Sequence, residues 1–250
     1  MTTLRTTSSI TTATHNLTGK PIHRPERRLT FSSRASIGTV EIHPCEPLPA
    51  LREVRPLAEH TARFTVIVPE GMCARLAVGA ARVPWSALLP VAEWSSHALD
   101  ELSLVRHPIG DAGFRRFAGL TGLRFLDLYG TDLTDASGPN IGGLAGLEWL
   151  SLTSTRIGDA GVAALGGLDD LIRLSLWGTP ITDAALASLA GLPNLRWLSL
   201  AHTAVTASGV EWLLSRAPAL RWIAINGTPA AAARPWWLAH RAFSVEFVHH

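Results

Sequence analysis

The side chains best suited to chemistry are few in this chain and far apart. His43 and Cys45 stand two residues apart in EIHPCEP, a spacing at which imidazole and thiolate can share a metal ion. Two ligands without a second pair make a weak site, so an incidental loop is the favoured interpretation. His107 and His202 have no nucleophile or carboxylate at a spacing typical of catalysis.

Motifs for catalysis and for cofactor binding are missing as well. The sequence has no HExxH, GxSxG, P-loop, GxGxxG or EF-hand pattern. We therefore expect a protein that is not an enzyme and that holds no metal and no cofactor.

Charge and composition narrow the classes of partner. The net charge is only +2, and from Leu99 onward 11 arginines face 13 acidic residues, which argues against nucleic acid. No apolar run is long enough to cross a membrane. Two cysteines without a CxxC motif predict no disulfide framework and favour a reducing compartment, so a cytoplasmic location is expected. The excess of arginine over lysine, 21 to 1, beside abundant alanine indicates a bacterial genome rich in G and C.

A repeat of 24 residues organises most of the chain. LEWLSLTSTRIGDAGVAALGGLDD, which begins at Leu147, is followed directly by LIRLSLWGTPITDAALASLAGLPN. Leucine occupies positions 1, 4 and 6 of each unit except the last, which has Ile223 and Ile225, and Thr occupies position 9 in five of six units. The units begin at Leu99, Leu123, Leu147, Leu171, Leu195 and Leu220. A degenerate first unit fits from Cys73 to Ala98.

The pattern LxxLxLxxTxIxDAGxxxLxxL resembles the leucine-rich repeat family, particularly its bacterial variety with Thr where other members have Asn or Cys. The resemblance covers Cys73 to Thr228. It implies an α/β leucine-rich repeat solenoid, a right-handed horseshoe with a parallel concave sheet, short convex helices, and N- and C-terminal caps. The family serves many roles, so its function is implied only as a class.

Elementary periodicities predict the same unit independently. Positions 4 and 6 share one face of a strand, and apolar positions 16, 19 and 22 follow helical spacing. The Asp at position 13 directly precedes the helical part, where a carboxylate can accept from free backbone N–H groups. The Thr at position 9 is expected to face inward and satisfy backbone groups of the loop.

Four segments follow from these patterns. Residues 1–45 are Ser/Thr/Arg-rich and are predicted to be a disordered tail, whose arginines Arg24, Arg27, Arg28 and Arg34 suggest, as the less favoured interpretation, an address or a basic docking arm. Residues 46–72 are predicted to be an N-terminal cap with a short helix from Pro47 to His60 and a strand from Phe64 to Val68. Residues 73–228 are the repeats. Residues 229–250 are predicted to form a C-terminal cap with Trp236, Trp237 and a strand from Phe243 to Val248.

The variable positions 3, 5 and 7 are expected on the concave face, where a partner would meet them. They form an aromatic column beside small hydroxyl residues, and such residue types dominate protein interfaces; a ladder that merely stacks on itself is the structural alternative. The predicted partner-binding residues are Phe125, Asp127, Tyr129, Trp149, Ser151, Arg173, Ser175, Trp177, Trp197, Ser199 and Trp222.

We therefore predict a noncatalytic scaffold that binds a protein or peptide through this aromatic concave surface. One alternative is a secreted effector or ubiquitin-ligase-type adaptor, since LPALREVRPL at Leu48 to Leu57 resembles the opening of an F-box, although Pro56 interrupts the expected helix. Another is an accessory subunit of a biosynthetic or signalling enzyme. The sequence specifies neither the ligand, the pathway, the oligomeric state nor the role of the tail.

Overall fold

The structure is a computed structural model that describes residues 14–15, 21–22, 24–31, 38–44, 58–61, 64–70, 72–78, 95–233 and 244–245. The strands are β1 (Thr14–His15), β2 (Pro21–Ile22), β3 (Arg27–Phe31), β4 (Gly38–Pro44), β5 (Ala58–Thr61), β6 (Phe64–Val68), β7 (Met72–Val78), β8 (Glu101–Ser103), β9 (Phe125–Asp127), β10 (Trp149–Ser151), β11 (Arg173–Ser175), β12 (Trp197–Ser199), β13 (Trp222–Ala224) and β14 (Ser244–Val245).

Short helices alternate with the strands from β8 onward. The α-helices are Asp111–Phe114, Gly138–Gly142, Asp159–Ala163, Leu186–Ala190, Ala207–Arg216 and Pro229–Ala232. Single 3-10 turns extend three of them, at Arg115–Phe117, Asp135–Ser137 and Asp183–Ala185.

One large sheet carries the repeats. Its order is β14-β13-β12-β11-β10-β9-β8-β7-β4-β5, with parallel pairing from β7 to β14 and antiparallel pairing of β4 with β7 and β5. Each parallel pair aligns the same repeat position, as Leu150 with Leu174 and Leu174 with Leu198. The predicted solenoid is confirmed, and the pairing of Leu76 with Leu102 confirms the register of the degenerate first unit.

The recurring aliphatic residues form one continuous core. Leu150, Leu174 and Leu198 at position 4 are fully buried. The leucines at positions 1 and 6 of the same units are fully buried as well, apart from Leu195, which is 1% exposed. Burial of a leucine side chain contributes about 1.5 to 3 kcal/mol, which explains why these positions are constant while their neighbours vary.

The position 9 threonines form hydrogen bonds with backbone groups of the loop, as predicted. In the five coils that have this threonine, its hydroxyl donates to the backbone carbonyl three residues earlier, for example from Thr179 to Leu176 at 2.6 Å.

The position 13 aspartates begin their helical segments as predicted, but their hydrogen bonds link successive coils. Asp183 accepts from the N–H and the hydroxyl of Thr206 in the following coil, at 2.8 and 2.6 Å. Asp111 is bound likewise by Thr134 and Ser137; burial by itself raises its pKa, yet these hydrogen bonds outweigh burial and leave the pKa lowered. The residue at position 15 is small because the aspartate of the preceding coil lies against it. A Cβ on Gly209, for example, would collide with the Asp183 carboxylate.

Position 8 adopts the left-handed conformation in the six coils that begin at Leu99, and glycine alternates there with larger residues. Arg106, Ser154 and His202 have φ of 54°, 53° and 54°, and the coils between them have glycine with φ from 67° to 70°. Each larger side chain lies over the glycine of the next coil. A Cβ on Gly227 would stand 2.6 Å from the His202 ring.

The prediction of a disordered tail over residues 1–45 is wrong for the paired strands β1 and β2 and for residues 24–31 and 38–44. These residues contribute β3 and β4, and Leu29 and Val40 are fully buried in the same core as the repeats. Arg24 and Arg27 are buried against Asp100, with Arg27 Nη1 2.8 Å from Asp100 Oδ2, so they do not form a docking arm. The composition of this segment wrongly indicated disorder, because its arginines are neutralised by a carboxylate some 70 residues away in the sequence.

The other cap predictions have mixed outcomes. The strand at Phe64–Val68 is confirmed, whereas the predicted helix from Pro47 to His60 is wrong at its end, where Ala58–Thr61 is a strand. The C-terminal strand is present at Ser244–Val245 and pairs with β13, while Trp236 and Trp237 lie outside the described residues. The caps' boundaries stay predictions.

Cys73 contradicts the preference for a reducing compartment that followed from the expectation of no disulfide framework. It is buried and disulfide-bonded in β7, and the sequence contains one other cysteine, Cys45.

Candidate binding surface on the concave sheet

The position 3 side chains stand in one column because β9 to β13 pair in parallel without a register shift. Two stacked pairs form in this column. The rings of Phe125 and Trp149 are 3.9 Å apart at 13°, and those of Trp197 and Trp222 are 4.2 Å apart at 4°. All three indoles are half-buried and lie on the same face of the sheet, whereas Phe125 is almost fully buried.

Arg173 separates the two stacked pairs. Its backbone pairs with Trp149 on one side and Trp197 on the other. Among the residues that the structure describes, its half-buried side chain has no hydrogen bond, ion pair or ring contact. The sequence correctly placed it between the indoles, but the cation–π contacts of the self-stacking alternative do not form there.

Position 5 lines the neighbouring row with hydroxyl groups. Ser151 and Thr153 are hydrogen-bonded at 3.2 Å, and Thr153 shares a hydrogen bond of 2.8 Å with Ser175. Ser151 and Ser199 are each 5% exposed. The serines therefore form a floor between coils and present little surface of their own.

Asp127 is the acidic residue of this row. Burial raises the pKa of its carboxyl, and hydrogen bonds from the Tyr129 N–H and from Ser151, with the charge of Arg75, offset the increase only in part. Its negative charge is thus disfavoured on this face.

Position 7 places two aromatic residues where the strands end. Tyr129 accepts a hydrogen bond of 3.0 Å from Arg106, whose guanidinium also lies 5.2 Å from the ring centroid. Trp177 meets the ring of His202 edge-on at 5.1 Å. The partners Arg106 and His202 were not among the predicted site residues. Both occupy position 8, directly after the position 7 column, and this shared position could have indicated them from the sequence.

A charged cluster at the N-terminal end of the column was also missed. Arg75 lies 5.6 Å from the Phe125 ring and 3.9 Å from Glu101, and His43 Nε2 is 3.1 Å from a Glu101 oxygen. Arg75 occupies position 3 of the degenerate unit, so the column could have been extended to it from sequence. His43 comes from β4, which lies outside the repeat.

The described parts of the chain meet the requirements of neither a metal-binding cluster nor a membrane-spanning helix. Those residues contain no group of three or more His, Cys, Asp or Glu side chains arranged to hold a metal ion. They also contain no helix with the length and apolarity needed to span a bilayer.

Comparison with known proteins decides the class of the repeats. Residues 145–205 match the family described as leucine rich repeat. The repeat region is a leucine-rich repeat array. No curated protein matches the sequence.

Solved structures of two internalins and of one leucine-rich repeat protein are similar to this chain. An internalin (inlF) of Listeria monocytogenes is 24% identical over 57% of this chain, with a TM-score of 0.44, and an internalin C2 of that species is 22% identical over 62%, with a TM-score of 0.48. A leucine-rich repeat protein of Leptospira interrogans is 19% identical over 64%, with a TM-score of 0.46. The chain covers 44%, 72% and 45% of these three proteins, respectively.

Proposed function

We propose that this protein is a noncatalytic scaffold that binds a protein or peptide on the concave face of its leucine-rich repeat array. Solenoids of this class commonly use their concave surfaces for protein recognition. The observation that carries the proposal is the column of half-buried indoles, Trp149, Trp197 and Trp222, in line on one face.

The stacking of the column is interrupted at Arg173, and this supports recognition. The known stacking partner of Trp149 is Phe125, and that of Trp197 is Trp222, so each of these two tryptophans has its stacked neighbour on the side away from Arg173. Contiguous aromatic surface of this kind is uncommon on a soluble face unless it is covered by a partner. Rigid aromatic groups lose little conformational entropy on binding, which makes them effective anchors.

Affinity capture from the native host tests this proposal. The triple variant Trp149→Ala, Trp197→Ala and Trp222→Ala is expected to lose partner capture. Since the two stacked pairs contribute roughly 0.5 to 1.5 kcal/mol each, Tm should fall by less than about 10 °C and the circular dichroism spectrum should be retained.

Trp212→Ala is the matched control. Trp212 is 39% exposed on the convex helix Ala207–Arg216, with Arg216 lying 4.5 Å from its ring centroid. Capture should survive this change. Capture that survives the triple change would contradict the concave site, and capture lost on Trp212→Ala would direct attention to the convex helices.

We also propose an oxidising compartment for the chain, which favours export over the cytoplasmic location expected from sequence. The support is the disulfide at Cys73, because disulfides persist mainly outside reducing compartments. Thiol labelling of the protein isolated from its host tests this: labelling of Cys73 without prior reduction would contradict it. The F-box-like segment of the alternative function, residues 48–57, lies outside the described residues.

A further inference from the structure

Arg173 lies in the sheet between two tryptophans, and the gap between their indoles above Arg173 is called the slot here. Trp149 and Trp197 are its neighbours on either side in the sheet. Adjacent strands lie about 4.8 Å apart, so these two tryptophans stand about 10 Å from each other across the slot. A stacked ring 3.9 Å away supports Trp149 from behind, and one 4.2 Å away supports Trp197. Each indole that borders the slot is therefore backed by a stacked aromatic ring.

The cation in this slot differs from the other arginines near the concave face. Arg75 lies near Glu41 and Glu101, Arg124 makes a bidentate pair with Glu148 at 2.7 and 3.0 Å, and Arg106 is bound to Tyr129. Arg173 has no such side-chain partner among the residues that the structure describes. A half-buried guanidinium keeps five N–H donors, and it favours an anionic acceptor that replaces the water it has lost.

We propose that this slot binds a carboxylate side chain of an extended partner segment, with apolar residues of the partner packing on the flanking aromatic stacks. This inference rests on the proposed function and names the chemistry of its partner. The methylene groups of a glutamate fit between the indole walls, and its two oxygens match the fork of the Arg173 guanidinium.

A carboxylate suits the slot better than a phosphate. Phosphate groups carry nearly two negative charges and are usually recognised by clusters of arginine. This slot offers one guanidinium between two apolar walls, and its neighbours Ser151 and Ser175 already hydrogen-bond to Thr153. A dianion would be poorly neutralised there, whereas a single negative charge is matched.

Three peptides with a common frame test the inference. In an extended chain, alternate residues share one face about 7 Å apart. The acetylated amide Phe-Ser-Glu-Ser-Phe therefore presents its acidic group and both rings to the same surface. Its two matched probes carry Gln or phosphoserine in place of Glu. Binding is followed by NMR titration of the arginine Nε–H and indole N–H resonances, with probes up to about 10 mM, the range of weak fragment affinities.

The Glu peptide should bind the unmodified protein roughly tenfold more tightly than the Gln peptide, because a charge-assisted bidentate contact replaces a neutral one. Arg173→Gln should remove this preference while leaving the affinity for the Gln peptide unchanged. The control Arg196→Gln removes the same charge from an exposed residue outside the column, and it should keep the preference.

Four results would overturn the slot: equal affinity for the Glu and Gln peptides, tighter binding of the phosphoserine peptide, a Glu preference that survives Arg173→Gln, or no binding by any probe. The capture experiment tests the proposed function separately from the peptide titration, which tests the slot. If capture of the native partner survives loss of the three tryptophans while the Glu preference holds, the function fails and the slot stands. If capture needs the tryptophans but the preference is absent, the slot fails and the function stands.

Discussion

Individual side chains in this array interact chiefly with the same or a nearby position of the next coil. Trp197 stacks on Trp222, and the Asp183 carboxylate binds Thr206. Such contacts arise because parallel strands without a register shift place like positions side by side. The effect of a substitution is therefore determined by the adjacent coil as much as by the residue itself.

Asp127 provides a test of charge on the concave floor. Burial raises its pKa in the folded state, so its contribution to stability is present at low pH and is lost as the pH rises through that folded-state pKa. Asp127→Asn keeps an acceptor for the Tyr129 N–H and removes the charge. We expect a higher Tm than the unmodified protein at pH 7, and a difference that closes as the pH falls towards about 4. Thermal melts across this range measure it, and a lower Tm for the variant at pH 7 would contradict the account.

Gly227→Ala tests the left-handed position. The residue has φ of 70°, and a Cβ would stand 2.6 Å from the His202 ring, so a loss of roughly 1 to 3 kcal/mol in the free energy of unfolding is expected. Gly167→Ala is the control, since a Cβ there meets nothing within 4 Å. Urea denaturation compares the two, and equal effects would refute the role of the alternation.

At the scale of elements, β3 depends on ion pairing as well as on apolar burial. Arg27 donates to Asp100 and to the carbonyls of Met72, His97 and Ala98, so one guanidinium joins β3 to the first coils. Asp100 also accepts from the Ala74 N–H at 2.9 Å. The buried carboxylate is thus the junction between the N-terminal strands and the repeats.

Arg27→Met should break that junction. It removes one cation from a buried carboxylate, a change that typically costs about 3 to 5 kcal/mol, although Arg24 still faces Asp100. Hydrogen exchange should show protection lost in β3, β6 and β7 before the later coils. Arg28→Met on the exposed side of the same strand is the control and should have little effect. Similar exchange in both variants would refute the junction.

Repetition decided which elements could be predicted from sequence. The columns at positions 3, 5, 7 and 9 followed directly from the period, because each coil repeats the geometry of the one before it. No period extends into β3 and β4, and the pairing of Arg27 with Asp100 joins residues far apart in sequence. At the site, the period gave the neighbours of Arg173 but not the lack of cation–π contacts with them, since the rotamer of a long, flexible side chain does not follow from the spacing of residues in the sequence.

At the scale of the whole molecule, the core extends from Leu29 on β3 to Ala230 in the last described helix without interruption. In such an array each coil contacts mainly its neighbours, so stability is the sum of local terms and of the interfaces between coils. The N-terminal strands and β14 cover the two ends of the repeat sheet, where unpaired strands would otherwise invite association with other chains.

The alternation at position 8 gives the array a longer structural period than its leucines suggest. Arg106, Ser154 and His202 each lie over the glycine of the next coil, so two consecutive coils form the smallest unit that fits onto a copy of itself. Removal of the single coil 123–146 would bring Arg106 against Ser154, whereas removal of 123–170 would restore the match of a large residue with a glycine. Lengthening or shortening of this solenoid, in evolution or by design, is therefore expected to proceed in steps of 48 residues, twice the spacing of 24 seen in the sequence.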